Sequence, residues 1–536
     1  MAEMAESKVA TKHVEAVADY SEDAAHRGQL LFDEERHLGV LATAKLHRRA
    51  LLTCSVTFTA GLVFGFDTVV NGASISMPSF LLYFGSIGPT GPFLPSIWTS
   101  LWTAMSGLCQ AIGAIIIGIV ADRFGRKWSA CGAAALTLVG TAVQYTAHAR
   151  GTLMAGKMIA GLGVGAILAV ATTYASEVAP LKLRGPIQAT LVLFTVFMQG
   201  LALGVVRVFV PNVHEQAFRN VFATQWAVGG LALICFALVP ESPVFLITRG
   251  DIPAARKVMG RIYGEKKQPD ERTALLIRTI RDEQANSKLT GGTYLDCFKG
   301  TDRIRTGTVA FLYTTSNVGG AGFLAQNIYF LIIAGLEPIH AFDIGIGGFG
   351  LAILIIIASG AYLKKISRRT TVIAGCVMNI FFMIIIGALY YAPGRGALWA
   401  IAILMNLLIS FQTSTLQAVG WPTAAEIPSY RLRAKTLSIG VFAQTLTTWF
   451  FSFVTPYMYN VDSGNLGART GFVYAGTSVF LVIIAYLYCP NTAGLSTQEI
   501  DDLYEQKMSP RLFQARDRQL DEQGMRDKNL QSDVRS

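Results

Sequence analysis

Leu62-Val-Phe-Gly-Phe-Asp-Thr-Val-Val-Asn-Gly72 decides how this chain is read. It sets one carboxylate, Asp67, in the middle of an apolar run from about residue 50 to about 77. About 20 apolar residues are enough to cross a bilayer as a helix. An acid at the centre of such a helix costs about 2.5–3.5 kcal/mol on insertion scales, so it faces a water-filled path or a partner charge rather than lipid. The plainer alternative is a polar residue tying two helices together. The functional alternative is a site that carries a proton or touches a solute.

Working outward, apolar runs recur at about 94–120, 128–147, 152–176, 187–210 and 220–240, and again at about 306–334, 342–363, 371–391, 396–425, 436–460 and 469–489. The expected fold is therefore an all-α membrane protein with twelve transmembrane helices in two groups of six. Composition agrees: 52% of the 536 residues are hydrophobic and 15% charged, where a soluble protein carries about 25% charge. The net charge of +10 comes from Lys and Arg in loops on one side, so it speaks for membrane topology and not for nucleic acid. Arg123, Arg126, Lys127, Lys182, Arg184, Lys364, Lys365, Arg368, Arg369, Arg431, Arg433 and Lys435 all follow even-numbered spans. Those loops and both termini are expected in the cytosol, in a multi-pass protein of the cell membrane. The seven cysteines lie mostly inside apolar runs and imply no disulfide framework.

The expected organisation is a cytosolic, largely disordered tail (1–49), a first bundle (50–240), a cytosolic linker of short amphipathic helices (241–305), a second bundle (306–489) and a C-terminal cytosolic tail (490–536). In that last tail Ser496 and Glu499 have capping-box spacing. The halves repeat one plan. Gly118-x-x-x-Asp122-Arg-x-Gly-Arg-Lys127 returns in weaker form as Gly360-x-x-x-Lys-Lys-Ile-Ser-Arg-Arg369. Glu177 and Arg184 return as Glu426 and Arg433. Repeated bundles of this kind imply a solute site near the midplane and rocking of one half against the other.

These residues resemble the major facilitator superfamily, and within it the sugar porter family, over about residues 50–505. The Gly118–Lys127 motif carries the superfamily resemblance. Pro240-Glu-Ser-Pro243, Glu177 with Arg184-Gly185, and Glu426-Ile-Pro428 with Arg433 carry the narrower one. Gly291-Gly-Thr-Tyr-Leu-Asp-Cys297, Ala425–Arg433 and Pro490-Asn-Thr-Ala-Gly494 look most like fungal maltose and other α-glucoside permeases.

The resemblance assigns roles. Asp67 matches the family's proton-coupling acid of span 1. Its family partner is an arginine in span 4, and here Gly156-Lys-Met-Ile-Ala-Gly161 puts Lys157 in that place. A nearby ammonium favours the carboxylate while burial favours the neutral acid, so the pair can cycle. A lysine that only snorkels to water is the alternative. Gln199, Trp421 and Gln444 fall at sugar-contact positions. Ser316 and Asn317 replace a pair of glutamines, Gly322 an asparagine and Val192 a further glutamine. The pocket is expected to be roomier than a hexose porter's, suiting a disaccharide or a less hydroxylated solute. For each glutamine the plain alternative is an interhelical hydrogen bond, and for Trp421 it is packing. Asp122, Arg123, Arg126, Glu177, Arg184, Glu241, Glu426 and Arg433 are expected to form a cytosolic gate of ion pairs.

The expected function is uptake of an α-glucoside such as maltose together with protons, by a monomer in the lipid bilayer. Two readings stand beside it: an exporter of a secondary metabolite or drug on the same scaffold, and a non-transporting nutrient sensor. No metal-ligand spacing, nucleotide loop or nucleophile motif appears, so no cofactor, metal or enzymatic activity is expected.

Overall fold

The structure, a computed structural model, describes residues 22–36, 39–88, 91–264, 268–289, 293–362, 366–392, 394–429, 431–492 and 497–513. Ser496, Lys364 and Lys365 lie outside these residues, as do the first 21 and last 23 positions, for which disorder is the expectation. The helices are α1 (Glu22–Arg36), α2 (Val40–Leu46), α3 (Arg48–Ser55), α4 (Phe58–Ala73), α5 (Pro78–Phe84), α6 (Ser96–Phe124), α7 (Arg126–Tyr145), α8 (Arg150–Val178), α9 (Leu181–Phe209), α10 (Glu215–Leu238), α11 (Pro243–Thr248), α12 (Ile252–Tyr263), α13 (Pro269–Leu289) and α14 (Asp302–Ser316). They continue with α15 (Asn327–Ile333), α16 (Pro338–Tyr362), α17 (Arg368–Ala388), α18 (Arg395–Gln412), α19 (Ala418–Glu426), α20 (Arg433–Tyr459), α21 (Thr470–Tyr488) and α22 (Thr497–Glu505). One short pair of strands, Ser86–Gly88 and Gly91–Phe93, follows α5.

Among the described residues, ten helices are long and apolar enough to span a bilayer. The other two of the twelve spans fall short for visible reasons. Helix α7 is 20 residues long and rich in Ala, Gly and Thr. Span 7 is interrupted: α14 ends at Ser316, a π-helical turn covers Asn317–Ala321, and Gly320 inside it has φ +100°. Only glycine enters that backbone region without strain. A second π turn, Thr413–Gln417, sits between α18 and α19. Wide turns of this kind are frequent at functional sites, because they release backbone groups from the helix ladder.

The chain divides into two compact units, one of Met1–Pro92 with Leu101–Thr290 and one of Phe93–Ser100 with Gly291–Ser536. The core of the first is built from small residues. Ala130, Ala133, Ala134, Ala171 and Ala175 surround the fully buried Tyr174. Side chains this small let helix backbones close up, which is how bundles pack in lipid. In the second unit Val309, Leu312, Val372, Cys376, Leu416, Leu481 and Ala485 form the equivalent core, extended by Ile500, Leu503 and Tyr504 of α22.

The linker starts with two capped helices. Ser242 accepts from the Phe245 N–H and Asp251 from the Ala254 N–H, the side-chain caps that orphan helix donors require. Ile247, Ile252, Ala255 and Ile277 gather beneath them.

The expectation of a disordered N-terminal tail fails for Glu22–Arg36. Helix α1 lies along α13, burying Ala24 and Ala25 against Ala274. Gly28 passes so close to the Glu271 carbonyl that a Cβ would not fit. Glu35 pairs with Arg272 and stands 3.2 Å from His47 Nε2. The Arg272 guanidinium lies 4.7 Å from the centre of the Tyr263 ring. Burial pulls the Glu35 carboxyl up, but the hydrogen bonds from His47 and Arg272 and the charge of Arg272 outweigh it and hold it at about 2. All seven cysteines are free, and six of them are buried, Cys235 being half-buried.

Candidate functional site

Asp67 lies on α4 with 4% of its surface exposed, and Lys157 on α8 with none. Asn71, one turn after the acid, joins them. Its Nδ2 donates to Asp67 Oδ2 at 2.9 Å, and its Oδ1 accepts from Lys157 Nζ at 2.7 Å. Lys157 also donates to the Asn71 carbonyl at 3.2 Å. Gln110 Nε2 of α6 donates to the same Asp67 oxygen at 3.3 Å, and Ser106 accepts from Asn71 Nδ2 at 3.4 Å. Gly161 and Gly165 of α8 make this possible. A Cβ at Gly161 would meet the Ser106 carbonyl at 2.6 Å, and one at Gly165 would collide with the Gln110 carbonyl. The close approach of α6 to α8 carries Ser106 and Gln110 to the acid.

On its other side Asp67 borders a crevice of about 10 Å³, also lined by Thr141 and Gln225. That is about the space one water needs. Gln225 Oε1 accepts from Thr141 at 3.0 Å, while its buried Nε2 has no partner. A free donor thus borders a water-sized space beside the acid. Of this set, the sequence points to Asp67 and Lys157. Asn71, Gln110, Ser106 and Gln225 escape it, because an amide or hydroxyl within a span reads equally well as helix glue. The spacing of Asn71 four residues after Asp67 is the one available signal.

The expected solute residues fall in both units. Gln199 is half-buried on α9 of the first. In the second, Ser316 is buried and held by Gln412 and Gln417, which lie 3.5 and 3.2 Å away. Asn317 Nδ2 donates to Thr448 at 2.7 Å and to the Gln444 carbonyl at 3.3 Å. Gln444 therefore meets Asn317 through its backbone carbonyl. Trp421 is 39% exposed and stacks on Tyr313 at 6.1 Å.

A polar knot surrounds the interrupted span 7. Asn379 Nδ2 donates to the Gly319 carbonyl at 2.8 Å and to Ser478 at 2.7 Å, and Gln412 Nε2 donates to Asn379 Oδ1 at 2.7 Å. The π turn leaves the Gly319 carbonyl free for these amides. Nothing in the sequence spacing marks Asn379, Gln412 or Gln417.

Within each unit, some of the expected gate residues are paired. In the first unit Arg126 pairs with Asp122 at 3.1 Å and Glu177 at 2.9 Å. Glu241 accepts from the backbone N–H of Arg126 at 2.8 Å and of Lys127 at 3.1 Å. Ser242 donates to Glu177. In the second unit Glu426 pairs with Arg368. Among the described residues, three expected members enter no ion pair. Arg184 gives its Nε–H to the Ala179 carbonyl at 3.2 Å. Arg123 lies against the Phe124 ring at 5.7 Å. Arg433 is exposed at the start of α20. For Arg123 the cause is local: Gly125, at φ +92°, turns the chain between α6 and α7, so Arg126 points inward and Arg123 does not. Among the described residues no group of His, Cys, Asp and Glu is placed to hold a metal ion.

The family model described as "Sugar (and other) transporter" matches residues 53–504. The "MFS transporter fmqE" of Aspergillus fumigatus is 41% identical over 517 residues, covering 94% of this chain and 95% of that one. The "General alpha-glucoside permease" of Saccharomyces cerevisiae is 26% identical over 488 residues, covering 90% of this chain and 79% of its own. The partially occluded, inward-open xylose transporter XylE from E. coli superposes with a TM-score of 0.66 at 20% identity, over 84% of this chain and 100% of that one. At that identity the likeness speaks for the fold. The chain belongs to the sugar transporter family of the major facilitator superfamily, as a multi-pass membrane transporter and not an enzyme.

Proposed function

We propose that the protein is a proton-coupled secondary transporter that takes up an α-glucoside or a related glycoside, with Asp67 as the group that loads and releases the proton. The observation carrying this reading is a buried carboxylate held by the neutral amides of Asn71 and Gln110, with the Lys157 ammonium one hydrogen bond further on. A purely structural carboxylate in lipid is best served by a direct cation, because an uncompensated buried charge is costly. Here an amide relays between the charges, and a water-sized space borders the acid. Protonation of Asp67 would remove the charge that Asn71 and Lys157 face, which gives one proton a differential effect on two states. The yeast relative named as a general α-glucoside permease supports the solute class. In the second unit, the amides of Asn317 and Gln417, with the exposed ring of Trp421, are the groups a sugar would meet.

The test is Asp67→Asn in a host lacking its own uptake systems. Accumulation against a gradient should be lost while downhill exchange persists. Accumulation that survives the change removes Asp67 as the coupling group.

A second reading, transport of a non-sugar metabolite, is favoured by two observations. Fungal fmqE, named as a transporter without a sugar, is 41% identical where the permease is 26%. Ser316, Gln412 and Asn379 are also occupied with one another, which leaves fewer amides for hydroxyls. A panel of mono- and disaccharides, with and without an uncoupler, separates the two. Uptake of a disaccharide that the uncoupler abolishes supports the first reading, and no sugar-dependent proton movement supports the second.

A further inference from the structure

Helices α6, α7 and α8 of the first unit enclose an apolar groove of about 430 Å³. Its walls include Ile116, Val120 and Phe124 on one side and Trp128 and Leu136 on the other. Gly132 of α7 also lines it, at a point where a Cβ would meet nothing within 4 Å. From Gly113 to Phe124 the groove follows twelve residues of α6, about 16 Å at the helical rise. That is about half of the ~30 Å hydrocarbon core, the depth of one leaflet.

One end carries charge. Phe124 and Trp128 are 59% and 65% exposed there, and each bears a cation: Arg123 lies 5.7 Å from the Phe124 ring and Lys127 5.5 Å from the Trp128 ring. The neighbouring carboxylates are already engaged. Asp122 and Glu177 pair with Arg126, and Glu241 accepts from backbone N–H groups. Among the described residues Arg123 and Lys127 enter no ion pair, so two positive charges flank an aromatic rim where α6 ends.

We infer that this groove binds an anionic glycerophospholipid, with one acyl chain along α6 and α7 and its phosphate held by Arg123 and Lys127. Lipid touches every outer face of a membrane protein. Three features single out this one: it is concave, its length matches one leaflet, and its uncompensated charge sits at one end only. Aromatic residues favour the membrane–water boundary, and basic residues there attract anionic headgroups. The inference does not depend on which solute is carried.

The test is native mass spectrometry of the delipidated full chain, titrated with phosphatidylglycerol and with phosphatidylcholine of matched acyl chains. The first phosphatidylglycerol should bind more tightly than the first phosphatidylcholine, by about fivefold for each basic residue in contact. Lys127→Gln should lose about fivefold for phosphatidylglycerol and nothing for phosphatidylcholine. Gly132→Leu, which fills the groove, should weaken the first binding of both lipids. Gly204→Leu, placed where a Cβ also meets nothing within 4 Å but on α9, should leave both unchanged. Equal affinity for the two lipids overturns the site. So does a Gly132→Leu chain that binds like Gly204→Leu. Should Gly132→Leu not fold, Lys127→Gln still decides: an undiminished preference for phosphatidylglycerol overturns the assignment.

Discussion

At the scale of single residues, Asn71 matters more than its chemistry advertises. It is uncharged, yet it holds the carboxylate of Asp67 with one atom and the ammonium of Lys157 with two others. Hydrogen bonds to charged groups contribute about 1.5–3 kcal/mol. Asn71→Ala should therefore lower the proton-coupled transport rate by about tenfold or more, while Asn71→Gln should restore part of it. The measurement is initial uptake at two external pH values. Unchanged pH dependence in the alanine variant would show that the acid and the lysine do not communicate through this side chain. The Asp67–Lys157 pair was legible because a charge inside an apolar run is rare and therefore informative. Asn71, Gln110 and Gln225 were not, since an amide in a span is common and its partner is set by where the next helix lies. That placement comes from the close approach at Gly161 and Gly165, and glycines in a span carry no label saying which neighbour they admit.

At the scale of elements, two departures from a plain helix stand out. Span 7 breaks at Gly320, where a side chain would be strained by φ +100° and its Cβ would lie 2.7 Å from Met383 and 2.9 Å from Tyr474. Gly320→Ala should cost about 1–3 kcal/mol, seen as a lowered thermal transition in detergent. An unshifted transition would mean the break is not needed for folding. The hydropathy pattern located this span but not its interruption, because Asn317-Val-Gly-Gly-Ala321 is short and apolar enough to pass as continuous helix. Helix α1 is the opposite case. Its polar composition reads as disorder, but Ala24, Ala25 and Gly28 let it lie flat on α13, and Glu35 fastens it. Folding holds the Glu35 carboxyl at about 2 against an ordinary 4.5. The stabilisation is then whole above about pH 4.5 and fades as the pH falls towards 2. The protection of Glu22–Arg36 against hydrogen exchange, taken relative to the unprotected rate at each pH, should fall through that window, and Glu35→Gln should show low protection already at neutral pH. Equal protection in both chains would detach Glu35 from the docking of α1.

At the scale of the whole molecule, the twelve-span plan could be read from apolar run lengths and from the side on which Lys and Arg gather. Both signals depend on the bilayer alone, which is why they needed no knowledge of packing. The solute did not follow in the same way. Ser316 and Asn317 identify a departure from the hexose-porter pattern, but the direction of the departure depends on which amides are left over after the helices have satisfied one another. Gln412 and Asn379 consume part of that supply, and nothing in their sequence spacing announces it. The protein as a whole should therefore discriminate among solutes more by size and apolar surface than by hydroxyl count. Competition of uptake by maltose, by a hexose and by an aryl glucoside checks this, with the aryl glucoside expected to compete best and the hexose worst. Inhibition by the hexose equal to that by maltose would contradict it.

The burial of six of the seven thiols has a practical side. Sulfhydryl probes should react with Cys235 well before the other six, since burial shields those from the reagent. Replacing that one position would give a background in which a newly introduced cysteine reports by itself. Labelling rates at sites placed along α4 would then trace, turn by turn, where water reaches during a transport cycle.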